Sequence, residues 1–265
     1  MHPILFQSGA FTIYTYGVLV ATGVFIGVWL AARDSPRVGL PPAKIWNLCI
    51  YGIIVALVAS KVWLIFSDWS YYATNPSEIF SAATLESGGT FYGGVIGGIL
   101  WTLFYTRREK LPLLAAFDVC AAPLAIGHGI GRVGCFMAGC CFGKPTSLPW
   151  GVTFTSQVAA RISGTRLNVP LHPTQLYEAA AEFLNFIFLY FVGRRWRIPG
   201  QSIGAYLILY GTERGLFEFL RADPGRTPLL NGAVSLMQIV SIAMICAGIA
   251  LWSRALRQPK PAPAS

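Results

Sequence analysis

The chain has 265 residues, of which 54% are hydrophobic and 12% are charged, and its mean hydropathy is +0.56. This composition excludes an ordinary soluble domain and indicates an integral membrane protein. The net charge of +9 could indicate nucleic-acid binding, but twelve of the twenty lysines and arginines are expected in short cytoplasmic connections. We therefore predict no nucleic-acid partner.

Two stretches without charged residues, 11–32 and 233–253, are each long enough to cross about 30 Å of hydrocarbon as a helix. The first lacks the basic start and cleavage site of a secretory signal, so we expect it to be retained. Five more apolar segments, each interrupted by polar residues, are predicted at 45–66, 91–106, 112–130, 174–193 and 199–220. We predict an all-α integral membrane fold of about seven transmembrane helices, with one domain over 1–258 and a disordered tail at 259–265.

The cationic residues outside the spans fall in alternate connections, as cytoplasmic residues do. This set comprises Arg33, Arg37, Lys44, Arg107, Arg108, Lys110, Arg194, Arg195, Arg197, Arg254, Arg257 and Lys260. The opposite connections hold far fewer, so we predict the N-terminus outside and the C-terminus in the cytoplasm. The small extracytoplasmic loop region at 143–172 contains "PTSLPWGVTF", which predicts short strands and turns that serve as a lid or docking surface.

Charged residues inside the predicted spans are informative, because each costs several kcal/mol at membrane depth unless it is paired or hydrated. They are Lys61, Asp118, Arg132, Glu178, Glu182, Glu213, Arg214, Glu218 and Arg221. Glu178 and Glu182 are four residues apart on the fifth predicted span, so they share one face of that helix. By the same rule, the sixth predicted helix carries Arg214, Glu218 and Arg221 on one face. Ion pairs that fix helix packing are one interpretation. Arg132 has no acid within four residues, so it requires a distant partner or a bound anion.

Two glycine-rich runs accompany these charges, "GHGIGRVGCFMAGCCFGKP" at 127–145 and "SGGTFYGGVIGG" at 87–98. Missing side chains allow the backbone to approach either a neighbouring helix or a ligand, and both interpretations are open. Together with several arginines on the outer side, the two runs predict an anion site that is open to lipid. A phospholipid phosphate fits that description.

At this point the sequence resembles the phosphatidylglycerol–prolipoprotein diacylglyceryl transferases, which are seven-span bacterial membrane enzymes. The matching motifs run from end to end: "YTYGVLVATG", "GGTFYGGVIGG", "GIGRVGCFMAGCCFGKP", "LHPTQLYEAAAE", "GTERGLFEFLRADP" and "SLMQIVSI". The resemblance implies a multi-pass protein of the bacterial plasma (inner) membrane. It also implies transfer of diacylglyceryl from phosphatidylglycerol to the lipobox cysteine thiol of a secreted lipoprotein precursor, with release of glycerol phosphate. The implied partners are phosphatidylglycerol, lipobox-containing prolipoprotein signal peptides and the lipid bilayer, and we expect no cofactor.

The family motifs also assign residues in this chain. The lipid- and phosphate-binding residues are Tyr16, Gly93, Gly94, Arg132, Gly143, Glu178 and Arg221, and the supporting residues are Asp118, Cys135, Arg214 and Glu218. The chain also departs from the family, which commonly has histidine where this chain has Tyr92 and asparagine where it has Cys135. A further asparagine and glutamate of the signature correspond to Ala138 and Cys140. These departures leave the general base and the acceptor open.

The implied reaction needs two kinds of assistance. A thiol with an ordinary pKa of about 8.5 must lose its proton, and a phosphate monoester must leave. Arg132 and Arg221 suit the second task, because arginine holds phosphate in a bidentate manner. His128, one helical turn before Arg132, is our candidate base, although it could simply hydrogen-bond a carbonyl group. Tyr92 is expected to orient the phosphate or the thiol. The predicted catalytic residues are therefore His128, Tyr92, Arg132 and Arg221.

The cysteines of the signature allow further interpretations. Cys135, Cys140 and Cys141 together with His128 offer four soft ligands in fourteen residues, so zinc, a disulfide and simple packing are all open. The spacing is not a recognised zinc pattern, and adjacent cysteines are awkward ligands for one tetrahedral ion, so we predict no metal. The alternative functions are a divergent transferase with another lipid or acceptor, a membrane thiol oxidoreductase, and a transporter, although transporters usually contain internal repeats.

Overall fold

The computed structural model describes residues 2–9, 11–81, 84, 89–196, 198–222, 228–229 and 234–257. Within these residues the helices are α1 (Thr15–Asp34), α2 (Pro42–Ser67), α3 (Trp69–Thr74), α4 (Phe91–Arg108), α5 (Leu113–Ala138), α6 (Gln157–Ser163), α7 (Thr174–Phe191), α8 (Gln201–Phe217) and α9 (Leu236–Leu256). The strands form three antiparallel pairs, β1 (Ile4–Ser8) with β2 (Phe11–Tyr14), β3 (Val152–Thr153) with β4 (Pro170–Leu171), and β5 (Pro228–Leu229) with β6 (Val234–Ser235). Some residues of the predictions lie outside this described part. They are Arg197, Lys260, residues 87–88 of the glycine-rich run at 87–98, and the predicted tail at 259–265.

Five helical segments in the described part of the chain are long and apolar enough to cross a membrane. They are Thr15–Val38, Pro42–Ser67, Leu113–Ala138, Thr174–Arg195 and Leu236–Leu256. Their apolar side chains are widely exposed, and Phe25, Leu57 and Ile242 are each more than half accessible. Such surfaces suit lipid, because hydrocarbon tails are as apolar as these side chains. The chain is therefore a multi-pass membrane protein of the all-α class. The two other predicted spans correspond to α4, with 18 residues, and α8, with 17 residues.

Three predicted helix boundaries were wrong. The first span begins at Thr15, because residues 11–14 are β-branched or aromatic and pair as β2 with β1, from Ile4 opposite Tyr14 to Ser8 opposite Phe11. Helix α5 continues past residue 130 to Ala138, so its glycines do not end it. The helix predicted at 199–220 also ends early, because α8 stops at Phe217 and residues Glu218–Leu220 form a separate 3-10 turn.

Contacts within the chain define two compact units. One comprises Met1–Leu30 with Phe117–Ser265, and the other comprises Ala31–Ala116. In the unit 31–116, α2 packs against α4. The indole N–H of Trp101 on α4 donates to the Leu48 carbonyl oxygen on α2 at 3.0 Å, and Lys44 forms an ion pair of 3.0 Å with Glu109.

The other unit is built around α5, α7, α8 and α9. Its buried apolar cluster consists of Ala121, Ala125, Leu189, Ile203, Ala205 and Tyr206, which come from α5, α7 and α8. Helix α9 lies against α8, and its N-terminus carries a capping box formed by Ser235 and Gln238. Residues 143–172 include the predicted strands, β3 and β4, together with the unpredicted helix α6, whose N-cap is Ser156. Phe142, Phe154 and Leu171 bury one another beside this segment.

Candidate functional site

The last three turns of α5 carry two of the predicted catalytic residues. His128 and Arg132 are four residues apart on this helix, and the Nε–H of Arg132 donates to Nε2 of His128 at 3.1 Å. Nδ1 of His128 lies 2.6 Å from Oε1 of Glu182 on α7. Because Nε2 accepts a hydrogen bond, the proton of a neutral His128 ring resides on Nδ1 and is donated to the carboxylate. His128 therefore contacts two charged side chains, and the alternative of a simple bond to a carbonyl group is not what the ring does here.

Helix α7 supplies the carboxylates. Glu178 and Glu182 are one turn apart and are fully buried on the same face, as predicted from their spacing. Oε2 of Glu178 lies 2.7 Å from Nη2 of Arg132, and its Oε1 lies 3.7 Å from Nη1 of Arg221. The distant partner expected for Arg132 is therefore Glu178. One buried carboxylate thus holds two arginines that are far apart in the sequence.

Arg221 reaches this carboxylate from extended backbone and not from a helix. The expectation that Arg214, Glu218 and Arg221 share one helical face was wrong for Arg221, because α8 ends before it and its φ and ψ are −73° and 145°. Arg214 and Glu218 do lie one turn apart and form an ion pair of 2.9 Å, and both are buried. They therefore make a second charged pair beside the first.

Residues 142–144 position Arg221 through backbone hydrogen bonds. The Lys144 N–H donates to the Leu220 carbonyl at 2.7 Å, and the Ala222 N–H donates to the Phe142 carbonyl at 3.3 Å. Gly143 lies directly opposite Arg221 in this pairing. A Cβ at Gly143 would stand 2.6 Å from Cβ of His172 and 2.9 Å from the Leu220 carbonyl oxygen, so only glycine permits the approach. Gly143 thus acts on the site by bringing the Arg221 segment close.

Tyr16 and Cys135 lie near Arg132. The ring of Tyr16 on α1 packs against Gly134, with its Cδ2 atom 3.2 Å from where a Cβ of that glycine would stand. Tyr16 is close enough to interact electrostatically with Arg132 and with the sulfur of Cys135. Cys135 itself lies one residue beyond Gly134 on α5, and its carbonyl oxygen accepts from the thiol of Cys140 at 3.7 Å.

Asp118 lies at the other end of α5. Its two carboxylate oxygens accept hydrogen bonds from the backbone N–H groups of Gly200 at 2.6 Å and Ile203 at 2.8 Å. A carboxylate at a helix N-terminus satisfies donors that the helix itself leaves unpaired. Asp118 therefore fixes the start of α8, the helix that carries Arg214, and supports the site through that helix.

Tyr92, Gly93 and Gly94 open α4 in the unit 31–116. Gly93 is buried against α2, and a Cβ there would stand 2.5 Å from Cβ of Trp63 and 2.7 Å from the Ala59 carbonyl oxygen. Gly93 therefore permits close packing of α4 against α2. A Cβ at Gly94 would make only an ordinary contact of 3.6 Å with the Ala56 carbonyl oxygen. An apolar groove of about 570 Å³ runs along the same contact and includes Gly93 and Trp63 in its lining.

Several contributing residues were absent from the predicted site. Glu182, which was recognised only as an intramembrane charge, accepts from His128 and also from the Tyr206 hydroxyl at 3.3 Å. The ring of Tyr210, one turn further along α8, meets the His128 ring edge to face with centroids 5.2 Å apart. The spacing of the two tyrosines at i and i+4 was a usable signal for a common face. Their pairing with α5 and α7 depends on tertiary packing.

The arrangement suits an anion with several oxygens. Two guanidinium groups converge in a buried region where charge interactions are stronger than in water. Arginine has five N–H donors in a planar fork, and the contacts described for Arg132 use two of its three nitrogens. A phosphate could engage the remaining donors or compete with Glu178 for both arginines.

Comparison with known proteins identifies the family of this chain. The family described as prolipoprotein diacylglyceryl transferase matches residues 3–254. A relative from Clostridium tetani, named phosphatidylglycerol–prolipoprotein diacylglyceryl transferase, is 36% identical over 250 residues, covering 94% of this chain and 96% of the relative. Relatives of the same name from Clostridioides difficile and Geobacter sulfurreducens are each 32% identical, over 94% of this chain and 93% of each relative. The chain therefore belongs to the prolipoprotein diacylglyceryl transferase family.

Proposed function

We propose that this chain transfers the diacylglyceryl group of phosphatidylglycerol to the lipobox cysteine thiol of prolipoprotein signal peptides and releases glycerol phosphate. The observation that carries the proposal is the convergence of Arg132 and Arg221 on Glu178 in a member of this family. Guanidinium groups that a buried carboxylate holds close together are suited to bidentate contact with a phosphate. The donor phosphate supplies that anion.

The proposed topology has seven spans in the bacterial plasma (inner) membrane, five from the long apolar segments and two from α4 and α8. The alternation of cationic connections supports an outer N-terminus, a cytoplasmic C-terminus and an extracytoplasmic region at 143–172. A cysteine reporter at Ser77 is then expected to react with an impermeant thiol reagent added to intact cells, and one at Lys110 is expected to react only after lysis. Both residues are exposed. The reverse labelling pattern would contradict the orientation.

In the proposed reaction, the acceptor sulfur attacks the glyceryl carbon that bears the phosphate. The carbon–oxygen bond breaks as the carbon–sulfur bond forms, and the electron pair leaves with the phosphate oxygen. Arg132 and Arg221 stabilise the charge that develops on that leaving phosphate, a role for which guanidinium groups held in a buried site are suited. Glu178 holds both groups in position until the donor arrives, and Tyr16 and Gly143 complete the surroundings of the phosphate.

His128 is proposed to accept the thiol proton. Its Nδ1–H contact with Glu182 orients the ring and stabilises the protonated form, as a carboxylate does for histidine bases in general. Nε2 becomes available when the Arg132 guanidinium turns from His128 toward the donor phosphate. The donor lipid must therefore bind before His128 can accept the proton of the acceptor thiol. Tyr92 is proposed to orient a substrate.

A reconstituted assay tests the proposal. The purified chain in vesicles containing phosphatidylglycerol should transfer the labelled diacylglyceryl group to a lipobox peptide and release glycerol phosphate in equal amount. Two matched controls are vesicles in which phosphatidylethanolamine replaces phosphatidylglycerol and a peptide in which serine replaces the lipobox cysteine. No product is expected in either control. Equal product from phosphatidylethanolamine would indicate the alternative of another donor lipid, and product on the serine peptide would exclude thiol transfer.

A further inference from the structure

Three cysteine sulfurs meet at the end of α5, beside the site described above. The sulfur atoms of Cys135, Cys140 and Cys141 all lie within 4.8 Å of one another, and all three residues are half-buried. None of the three forms a disulfide. The proposed reaction assigns these thiols no role, and packing alone does not require three sulfurs to converge at one point.

The backbone at this point is arranged to bring adjacent cysteines together. Cys141 adopts a φ of 59°, which is uncommon for a residue with a side chain. The Gln175 side-chain amide donates to the Cys140 carbonyl at 2.6 Å, and the Thr174 hydroxyl donates to the Cys141 carbonyl at 2.7 Å. Gln175 and Thr174 are both fully buried, so the turn is rigidly held. Adjacent cysteines are awkward ligands for one ion, but in this turn the Cys140 and Cys141 sulfurs lie within 4.8 Å of each other.

Two cationic side chains lie near one of the three sulfurs. Arg221 and Arg132 both lie close enough to the Cys141 sulfur to act on its charge. The thiolate is the form of cysteine that binds metal. Three thiolates with one divalent cation carry one net negative charge, which the two arginines and Glu178 together balance. The local charge therefore accommodates a metal–thiolate group without an unpaired charge at membrane depth.

We propose that Cys135, Cys140 and Cys141 bind one zinc ion and leave its fourth position open. Tetrahedral zinc with bonds of about 2.3 Å to sulfur separates its ligand sulfurs by about 3.8 Å, which lies within the observed limit. Three protein ligands with one open position are typical of catalytic zinc, whereas structural sites are closed by four. Sulfur ligands also disfavour magnesium and calcium.

The open position takes the thiol of the acceptor peptide, an extension that rests on the proposed function. A thiol that coordinates zinc loses its proton, which passes to His128 or to water. The sulfur keeps its electron pair and uses it to form the bond to the glyceryl carbon, while the carbon–oxygen bond breaks toward the phosphate held by the two arginines. Zinc is neither oxidised nor reduced in this step. Zinc thereby lowers the demand on the base in a chain with Tyr92 where the family commonly has histidine.

Metal analysis of the full chain tests the site without reference to activity. The chain purified from cells grown with zinc is expected to contain about one zinc per chain. Cys135→Ser, Cys140→Ser and Cys141→Ser should each reduce the zinc content to less than about a tenth of that value, because each removes a ligand. Cys246→Ser, which changes an exposed cysteine on α9, is the matched control and should retain the zinc. The melting temperature of each variant shows whether a chain that lacks zinc is still folded.

Cobalt in place of zinc tests the open position. Addition of the lipobox peptide should change the visible absorption of the cobalt-loaded chain, because a fourth sulfur enters the metal's ligand set, and the serine peptide should leave it unchanged. Absence of zinc from a folded chain that transfers diacylglyceryl overturns the site and leaves the proposed function standing. So does a disulfide among the three cysteines in the chain taken from thiol-blocked membranes. A zinc-loaded chain that responds to the peptide but transfers nothing from phosphatidylglycerol supports the site and contradicts the proposed function.

Discussion

The two compact units of this protein, which we call the two assemblies, differ in the contacts that stabilise each of them internally. In the unit 31–116, α2 and α4 meet through small residues, and the Lys44–Glu109 pair is partly exposed, with 39% and 31% of the side chains accessible. In the other unit, α5, α7 and the segment around Arg221 meet through buried charges, and the Glu178 side chain is only 2% exposed. Buried charge is costly unless it is paired, and the second assembly meets that cost with ion pairs that close packing by small residues does not need. We therefore expect the phosphate chemistry to take place in the second assembly, and close helix packing to dominate in the first apart from Tyr92, which is proposed to orient a substrate.

The largest effect is expected at the two arginines. Arg132→Ala and Arg221→Ala should each slow transfer between about a hundredfold and a thousandfold, because each removes a group that stabilises the leaving phosphate. Arg132→Lys retains the charge but loses the planar fork, so it should recover only part of the rate. The initial rate in phosphatidylglycerol vesicles is the measurement.

The matched control is Arg254→Ala, which changes an exposed arginine near the end of α9. This variant should keep the wild-type rate. Each alanine variant also leaves Glu178 with one partner fewer, so it is expected to lose some stability. The melting temperature of each variant therefore shows whether a slower rate reflects lost catalysis or lost folding. Wild-type transfer by folded Arg132→Ala and Arg221→Ala would refute the assignment of chemistry to this assembly.

We expect the buried pair of Arg214 and Glu218 to contribute mainly to stability. Glu218→Gln should destabilise the chain by about 3 kcal/mol, because it leaves the Arg214 charge buried without its partner. The double variant Arg214→Met with Glu218→Met should recover most of the melting temperature, since apolar residues of similar volume replace a buried pair at little cost. If the double variant recovers stability but not transfer, Arg214 or Glu218 contributes directly to the reaction.

His128 distinguishes a base from a packing residue within the charged assembly. His128→Gln should slow transfer by about a hundredfold, within the usual range for loss of a positioned base. Wild-type transfer should rise with pH as the imidazole loses its proton and becomes able to accept one, and the variant should lack that rise. Tyr92→Phe should have a smaller effect, and Tyr92→His should be tolerated. Loss of turnover in Tyr92→Phe, with rate and pH profile unchanged in His128→Gln, would transfer the essential role to the tyrosine.

The sequence predicted those parts of the site that depend on local spacing. His128 and Arg132, Glu178 and Glu182, and Arg214 and Glu218 each lie one helical turn apart, so their shared faces followed from helix geometry. The membrane class followed equally directly from composition and from charge-free stretches. These features require no knowledge of which helix packs against which.

The remaining features depend on distant partners. The joint pairing of Glu178 with Arg132 and Arg221 joins three separate parts of the chain, and no local pattern contains it. The 3-10 turn before Arg221 and the left-handed backbone of Cys141 are held by hydrogen bonds from other segments, so spacing rules failed at both. Gly143 was assigned from a motif, but the need for glycine there arises from His172 and Leu220.

The smallest effect concerns the packing assembly and tests its half of the comparison. Gly93 and Gly98 both lie within α4, so an alanine at either gains the same helix propensity of about 1 kcal/mol. A Cβ at Gly93 would stand 2.5 Å from Trp63, whereas one at Gly98 would meet nothing within 4 Å. Gly93→Ala should therefore lower stability by about 1–3 kcal/mol through overpacking, and Gly98→Ala should raise or preserve it. Melting temperatures in detergent measure both. Equal stability of the two variants would show that α2 and α4 are not held by close approach. Gly94→Ala tests donor binding at the same helix end. Normal stability with slower transfer from phosphatidylglycerol in that variant would assign this helix end to binding of the donor lipid.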